Sequence, residues 1–250
     1  MNSDAPSAPQ PLRNADVDWN DWPVADYLTE VYRDLHPSDD AVIEHHSAFY
    51  RTLAADSVAR SVELGAGPNL YPLMLAAAAS QHIEVIEPSA ANLAYLGRQL
   101  HNEPDPSWLP FYERCRELQP ALPATLTRAL SRVTVRRGDA SDLRPDTYDL
   151  GSMHFVAESC TEDVNEFRDI CRSLARSVKP GGHLIAAFME NMGCYRIGEG
   201  PTWPGIPVDA RLVREVFLPL VVDVSTSHVG FDPTGPDYGY TGMVLMTATR

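Results

Sequence analysis

The spacing of apolar positions near the amino end of the chain predicts two helices. The first ends before Pro37, and its apolar positions recur at the spacing of one helical face. These positions are Tyr27, Leu28, Val31, Tyr32 and Leu35. Ser38 caps a second helix, in which the same spacing continues. We therefore expect residues 19–55 to form a helical lid over the rest of the protein.

From residue 57 onward the pattern changes to the alternation that is typical of strands. Residues 57–64 predict a strand, residues 65–68 a tight turn and residues 70–79 a buried helix. A second strand follows at residues 82–87, and a further helix comes after it. Strand and helix in alternation indicate a doubly wound parallel sheet, in which right-handed crossovers place the turn after the first strand at the carboxyl edge.

The remaining pattern extends this α/β sheet to the end of the chain. Strands are predicted at residues 132–136, 148–155, 183–189, 220–229 and 242–249, and helices at residues 163–177 and 209–217. We expect a seven-stranded, mostly parallel sheet with an antiparallel last strand. The core covers residues 56–250, and residues 19–250 form one domain. Residues 1–18 are polar and rich in Pro and Ser, so we expect them to form a disordered tail.

The amino-acid composition argues against several classes of protein. The net charge is −14, with 34 acids against 20 bases, which opposes binding to nucleic acid or to an anionic membrane. No apolar run reaches the length of a membrane span. The four cysteines are scattered without a Cys-x-x-Cys pair, and no His, Cys or Asp spacing predicts a metal site. We expect a monomeric cytoplasmic protein that acts on a small molecule.

The turn after the first strand indicates the kind of ligand that this sheet binds. Gly65 and Gly67 allow a tight bend and close approach of a ligand, but Leu70 stands where a dinucleotide site has its third glycine. This opposes a dinucleotide-dependent oxidoreductase. Glu63 lies near the strand end, where it would face an ammonium group, and Glu87 ends the next strand, 22 residues beyond Gly65, where it would bind ribose hydroxyls. S-adenosylmethionine has both groups and no phosphate.

Several motifs carry a family resemblance over residues 20–250. They are Asp26-Tyr27-Leu28 with Tyr32, Gly65-Ala66-Gly67-Pro68-Asn69-Leu70-Tyr71-Pro72-Leu73, Glu87 with Asn92-Leu93, Glu103-Pro104 with Trp108, Lys179-Pro180-Gly181-Gly182-His183-Leu184, and Tyr195-x-Ile197-Gly198-Glu199. The chain resembles the class I, Rossmann-like methyltransferases that depend on S-adenosylmethionine. Within them it is similar to the nicotinamide, phenylethanolamine and indolethylamine (thioether) N-methyltransferases.

The residue pattern and this resemblance together predict a site for S-adenosylmethionine. Its residues are Tyr27, Tyr32, Glu63, Gly65, Gly67, Pro68, Tyr71, Glu87, Asn92, Asp139, Ala140 and His154. By resemblance, Tyr27 and Tyr32 close over the ligand with their hydroxyls toward the methionine carboxylate. Glu87 and Asn92 hold the ribose, Asp139 and Ala140 flank the adenine, and His154 lies under the cofactor.

The acceptor side departs from the family pattern. Aligned without gaps, Phe188 stands where nicotinamide methylation uses an acid, and Met192 lies near the acid of the phenylethanolamine branch. Glu190 is two residues away from both positions. We take Glu190 and Tyr195 as candidate catalytic residues. The candidate substrate-binding residues are Glu158, Asn191, Met192, Arg196 and His228.

The lost acids leave the acceptor open. Transfer to a nitrogen of a small molecule in metabolite biosynthesis or modification is the first expectation, by resemblance. Transfer to carbon or oxygen of a specialised metabolite is the alternative. Because Arg196 is expected beside the pocket, this alternative includes apolar or phosphorylated acceptors. The alternative of another class is a regulatory protein that binds S-adenosylmethionine without catalysis.

Overall fold

The computed structural model describes residues 10–101 and 103–250. The helices are α1 (Val24–Val31), α2 (Pro37–Tyr50), α3 (Tyr71–Ala76), α4 (Ala90–His101), α5 (Leu109–Leu118), α6 (Leu126–Leu130), α7 (Val164–Ser177) and α8 (Ala210–Phe217). The strands are β1 (Val58–Leu64), β2 (Ser80–Glu87), β3 (Val133–Arg137), β4 (Tyr148–His154), β5 (Val178–Glu190), β6 (Tyr195–Arg196), β7 (Thr202–Trp203), β8 (Asp223–Gly230) and β9 (Gly242–Thr249). Short 3-10 turns, among them Asn14–Asp16 and Trp19–Asp21, connect these elements.

Seven strands form one sheet in the order β3-β2-β1-β4-β5-β9-β8. The strands from β1 to β5 run parallel, and β9 is antiparallel to both of its neighbours, β5 and β8. The short strands β6 and β7 form a separate antiparallel pair. The predicted α/β fold, with its seven-stranded, mostly parallel sheet and antiparallel last strand, is therefore confirmed.

Both faces of the sheet are covered, as doubly wound folds require. In β5, Ile185, Ala187 and Met189 join the core that includes side chains of α2, α3, α5 and α6. Their neighbours Leu184, Ala186 and Phe188 join the core formed with α7 and α8. Successive strand residues point to opposite faces, so one step along β5 moves a side chain from one core to the other. This alternation decides which residues reach the functional site.

The amino-terminal segment differs from the disordered tail that its composition predicts. The backbone amide of Leu12 donates to Glu162 Oε2 at 3.0 Å, and that of Asn14 donates to Glu166 Oε2 at 3.0 Å. The indole of Trp19 donates to Asn14 Oδ1 at 2.8 Å. These carboxylates, beside and on α7, satisfy backbone donors of a polar segment, so residues 12–14 are held at the start of α7. The rest of the predicted tail, residues 1–9, lies outside the described residues.

Candidate functional site

One cavity lies at the carboxyl edge of the sheet, where the ends of the parallel strands and the amino-terminal helices meet. It is lined by the turn at residues 65–69, by Glu87 and Asn92, by Asp139 and Ala140, by residues 154–156, and by Met189, Met192 and Tyr195. Side chains of Trp22, Tyr27 and Tyr32 form the wall from the amino-terminal side. Ligands of open α/β sheets bind at this edge, so the cavity is the candidate functional site.

The glycine turn after β1 forms the floor of this cavity. Gly65 has a φ of +66° and Gly67 a φ of +57°, a region that residues with a side chain rarely adopt. A Cβ atom on Gly65 would lie 2.6 Å from Val156 Cγ1. The turn therefore needs glycine both for its backbone conformation and for its contact with the segment after β4.

Glu87 connects the glycine turn to the start of α4. Its carboxylate accepts hydrogen bonds from the backbone amide of Gly67 at 2.9 Å, from that of Ser89 at 2.9 Å and from Asn92 Nδ2 at 3.1 Å. Burial raises the pKa of Glu87, and these hydrogen bonds lower it in part. The buried Asn92 Oδ1 has no hydrogen-bond partner among the described residues. A carboxylate and an orphaned amide oxygen, both at the cavity wall, fit a ligand that donates hydroxyl groups, as ribose does.

Two tyrosines from the amino-terminal region close one side of the cavity. The hydroxyl oxygens of Tyr27 and Tyr32 lie 3.5 Å apart, and their rings meet edge to face. Burial raises the pKa of Tyr27 to about 12, so this hydroxyl is neutral at physiological pH. The pair presents neutral hydroxyl groups at the place where the resemblance puts them.

Two residues of the predicted cofactor set do not line the cavity. Glu63 is 1% exposed and accepts hydrogen bonds from Ser152 Oγ and, at 2.9 Å, from His154 Nδ1. It therefore lies behind His154, and its carboxylate is not free to face an ammonium group in the cavity. Tyr71 is fully buried directly behind the cavity wall, where its ring contacts Phe111 and the lining residues Tyr32 and His154. The other ten predicted cofactor residues line the cavity.

The acceptor side needs larger corrections. Met192 and Tyr195 line the cavity, but the Tyr195 hydroxyl donates to the carbonyl oxygen of Ser159 at 3.1 Å. Glu190 points away because Met189, its neighbour in β5, takes the inward position. The predicted catalytic carboxylate of Glu190 instead contacts His228 Nε2 at 3.0 Å, outside the cavity.

The remaining predicted substrate-binding residues also lie outside the cavity. The side chain of Asn191 donates to Thr241 Oγ1 at 3.0 Å, so it ties the end of β5 to the start of β9. Arg196 is exposed on β6 and donates to Thr202 Oγ1 at 3.1 Å. Arg196 therefore does not belong to the described cavity wall, and the reason for considering phosphorylated acceptors is removed.

Glu158 is buried behind the cavity wall. It is fully inaccessible to solvent, and its Oε1 accepts from the backbone amide of Met189 at 2.8 Å, while Oε2 has no partner among the described residues. Burial raises the pKa of Glu158 to about 8. At neutral pH the protonated form is therefore favoured, and the contact of Glu158 with the cavity wall is its hydrogen bond to the backbone amide of Met189.

This raised pKa makes a stability prediction. The native state holds the Glu158 proton up to about pH 8, whereas the unfolded chain loses it near the ordinary value of 4.5, so Glu158 destabilises the fold progressively as the pH rises through this window. Glu158→Gln removes this ionisation. We expect Glu158→Gln to raise the melting temperature above that of the unmodified protein, and we expect this increase to be larger at pH 8.5 than at pH 5. An equal difference at both pH values would contradict the prediction.

Sequence reasoning missed one acid at the cavity. Asp39 lies in the first turn of α2, is 4% exposed and lines the cavity. Burial raises its pKa to about 7, with nearby Tyr71 lowering it in part and Asp232 raising it. An acid in a first helical turn is typical of capping, so the sequence alone gave no reason to place Asp39 in a binding site.

The charge of the cavity wall is one-sided. Asp39, Glu87 and Asp139 line it, and its described lining residues include no Lys or Arg. Such a wall favours ligands with a positive charge. Among the described residues there is no group of His, Cys, Asp and Glu that would hold a metal ion. No helix in the described part of the chain is long and apolar enough to cross a membrane.

Fold and site together define a class of enzyme. The sheet order, the cavity at the glycine turn and the acid that ends β2 are those of a class I methyltransferase that uses S-adenosylmethionine. The chain belongs to the NNMT/PNMT/TEMT family, whose model matches residues 16–229. It is thus an S-adenosylmethionine-dependent methyltransferase.

Comparison with individual proteins agrees with this family. The chain is 29% identical to indolethylamine N-methyltransferase of Mus musculus, over 77% of this chain and 78% of that protein. It is 24% identical to nicotinamide N-methyltransferase of Homo sapiens, over 70% of this chain and 72% of that protein. A structure assigned as an S-adenosylmethionine-dependent methyltransferase from Listeria monocytogenes shares the fold, with a TM-score of 0.55 and 12% identity over 85% of this chain and 98% of that one.

Proposed function

We propose that the protein transfers the methyl group of S-adenosylmethionine to a nitrogen atom of a small molecule. The observation that carries this proposal is the acid-lined cavity without Lys or Arg among its described residues. It favours a sulfonium cofactor and an amine acceptor, both of which carry positive charge. The two curated relatives reported above are both N-methyltransferases, which supports the same acceptor atom.

The cofactor is proposed to lie across the carboxyl edge with its ribose on Glu87 and Asn92 and its adenine beside Asp139 and Ala140. The buried acceptor oxygens of Glu87 and Asn92 support this orientation. The methionine part would then extend over the Gly65 turn toward Tyr27 and the amino-terminal helices. Bound S-adenosylmethionine supplies an electrophilic methyl group, and the protein has to align the acceptor nitrogen with it and exclude water.

The acceptor is proposed to occupy the other end of the cavity. Met189, Met192 and Met243 line this end together with the ring of Tyr240. Methionine side chains adapt to ligands of irregular shape and contact aromatic rings favourably. We therefore propose an acceptor with an aromatic or apolar body and one amine group. The monomeric state and the cytoplasmic location stay predictions.

Two measurements test the proposal. Calorimetric titration should show binding of S-adenosylmethionine and none of NADH. Incubation with methyl-tritiated S-adenosylmethionine should then label indolethylamine or nicotinamide and leave catechol unlabelled. Labelling of catechol alone would replace nitrogen by oxygen as the acceptor. Binding of the cofactor without transfer to any acceptor in a metabolite extract would contradict an enzymatic role and favour the regulatory alternative.

A further inference from the structure

We propose that Asp39 is the catalytic carboxylate of this enzyme: it binds the amine group of the acceptor and removes its proton before methyl transfer. This inference rests on the proposed function and adds a residue to it. The segment after β5, where the resembled family has its acid, supplies none at the described cavity wall here. Phe188 packs against Phe167 and Phe217 on the other face of the sheet, and Glu190 points outward.

Helix α2 does not use Asp39 as a cap. The backbone amide of Ser38, in the first turn of α2, donates to Asp232 Oδ2 at 3.1 Å. Asp232 lies in the loop between β8 and β9. No side-chain hydrogen bond caps the helix from its own N-cap residue, His36. The task that an acid in this position usually performs is thus taken by a residue almost two hundred positions away, and the carboxylate of Asp39 is left for another role.

Asp39 is buried at the cavity, and among the described residues no cation neutralises it. It is 4% exposed and lines the cavity. The Tyr71 hydroxyl is a hydrogen-bond partner of Asp39 and lowers its pKa in part, but it is neutral and brings no charge to the carboxylate. The described salt bridges include none to Asp39, whereas Asp40, the next residue, pairs with Arg114 at 2.5 Å. A buried carboxylate with no cation of its own favours a ligand that brings one.

Asp39 is surrounded by one other acid and four tyrosines. Asp232 and Tyr240 face it from the β8–β9 loop, Tyr71 from α3, and Tyr27 and Tyr32 from the amino-terminal helix region. Burial raises the pKa of all four tyrosines, so they stay neutral, and the hydrogen bonds of Asp232 to Thr234 and Ser38 hold its pKa low, so it stays charged. These surroundings leave Asp39 as the group that exchanges a proton near pH 7.

The reaction balances with this single base. An acceptor ammonium gives one proton to the Asp39 carboxylate and becomes a neutral amine. The lone pair of its nitrogen forms the new bond to the methyl carbon, the bond between this carbon and sulfur breaks, and its electron pair stays on sulfur. The products are a methylated ammonium ion, the neutral thioether and protonated Asp39, which returns its proton to solvent. A neutral ring nitrogen has no proton to lose, so it does not need this step.

The test compares Asp39→Asn with Glu44→Gln, which neutralises an exposed acid on the same helix. Two acceptors are used with methyl-tritiated S-adenosylmethionine: indolethylamine, whose alkyl amine is protonated at neutral pH, and nicotinamide, whose ring nitrogen is not. For Asp39→Asn we expect kcat/KM with indolethylamine to fall by about 100-fold or more. With nicotinamide it should change by about 3-fold or less, because no proton is removed. The rise of kcat/KM with pH near 7 should disappear in the amine reaction.

Separate results overturn the two proposals. Thermal melting and circular dichroism, compared with those of Glu44→Gln, show whether the Asp39→Asn variant is folded. If the unmodified protein methylates indolethylamine and Asp39→Asn does so at the rate of Glu44→Gln, Asp39 is not the base and the proposed function stands. If the unmodified protein methylates only nicotinamide, the inference about Asp39 is also wrong. If the unmodified protein transfers no methyl group, the proposed function fails and the inference falls with it.

Discussion

Glu87→Ala is expected to weaken the binding of S-adenosylmethionine by roughly 10- to 150-fold. This corresponds to about 1.5–3 kcal/mol, the usual loss for hydrogen bonds to a charged group. The carboxylate of Glu87 lies at the point where the glycine turn, the start of α4 and the proposed ribose position meet, and it is 3% exposed. Alanine removes the acceptor for the ribose hydroxyls and leaves the backbone amide of Gly67 without its partner.

The affinity is measured by calorimetric titration, with thermal melting as a check on folding. Glu113→Ala, which removes an exposed acid from α5, is the matched control and should bind as the unmodified protein does. Glu87→Gln keeps an oxygen for the Gly67 amide and loses only the charge, so its affinity should lie between the two. Unchanged affinity in both Glu87 variants would show that the ribose lies elsewhere.

Gly65→Ala is expected to lower the free energy of unfolding by about 2–4 kcal/mol. Two costs add in this variant. A φ of +66° is strained for alanine, and the new Cβ atom would lie 2.6 Å from Val156 Cγ1, closer than such atoms pack. Because the turn lies in the cavity floor, the displaced backbone should also weaken cofactor binding.

A second glycine, Gly97, is the control for Gly65. Gly97 lies inside α4, and a Cβ atom placed on it would meet no other atom within 4 Å. Gly97→Ala should therefore stabilise the protein by about 0.5–1 kcal/mol, as alanine does in helices. Combining Gly65→Ala with Val156→Ala should recover part of the lost stability, since the contact is then relieved and only the backbone strain remains. If Gly65→Ala unfolds at the same denaturant concentration as the unmodified protein, the turn does not have the conformation described.

Most residues of the proposed cofactor half of the site could be predicted from the sequence because their signals are local. The glycine turn, the acid at the end of β2 and Asn92 lie within 28 residues of each other, and the order of strands and helices brings them to one edge. Ten of the twelve predicted cofactor residues reach the cavity for this reason. Glu63 is one exception, because its place near a strand end did not reveal that Ser152 and His154 would occupy its carboxylate.

The acceptor half was much harder to predict because it depends on the direction of single side chains. Met189 and Glu190 are neighbours in β5, and one step of strand alternation decided which of them faces the cavity. The alternation along β5 does not by itself show which face of the sheet carries the cavity, so the sequence did not decide between Met189 and Glu190. Asp39 could not be predicted from the sequence for another reason: its carboxylate is free at the cavity because Asp232 accepts from the first turn of α2, a contact between residues that are far apart in the chain.

The contacts of Leu12 and Asn14 with the acids beside and on α7 affect the choice of which residues to include when the protein is produced. A polar leader of this kind is usually trimmed when a protein is prepared for crystallisation. Asn14 lines the cavity and holds the indole of Trp19, which lines it as well. A shortened version that starts at residue 19 would be missing part of the cavity wall, so screening of acceptors should use a chain that keeps residues 10–18.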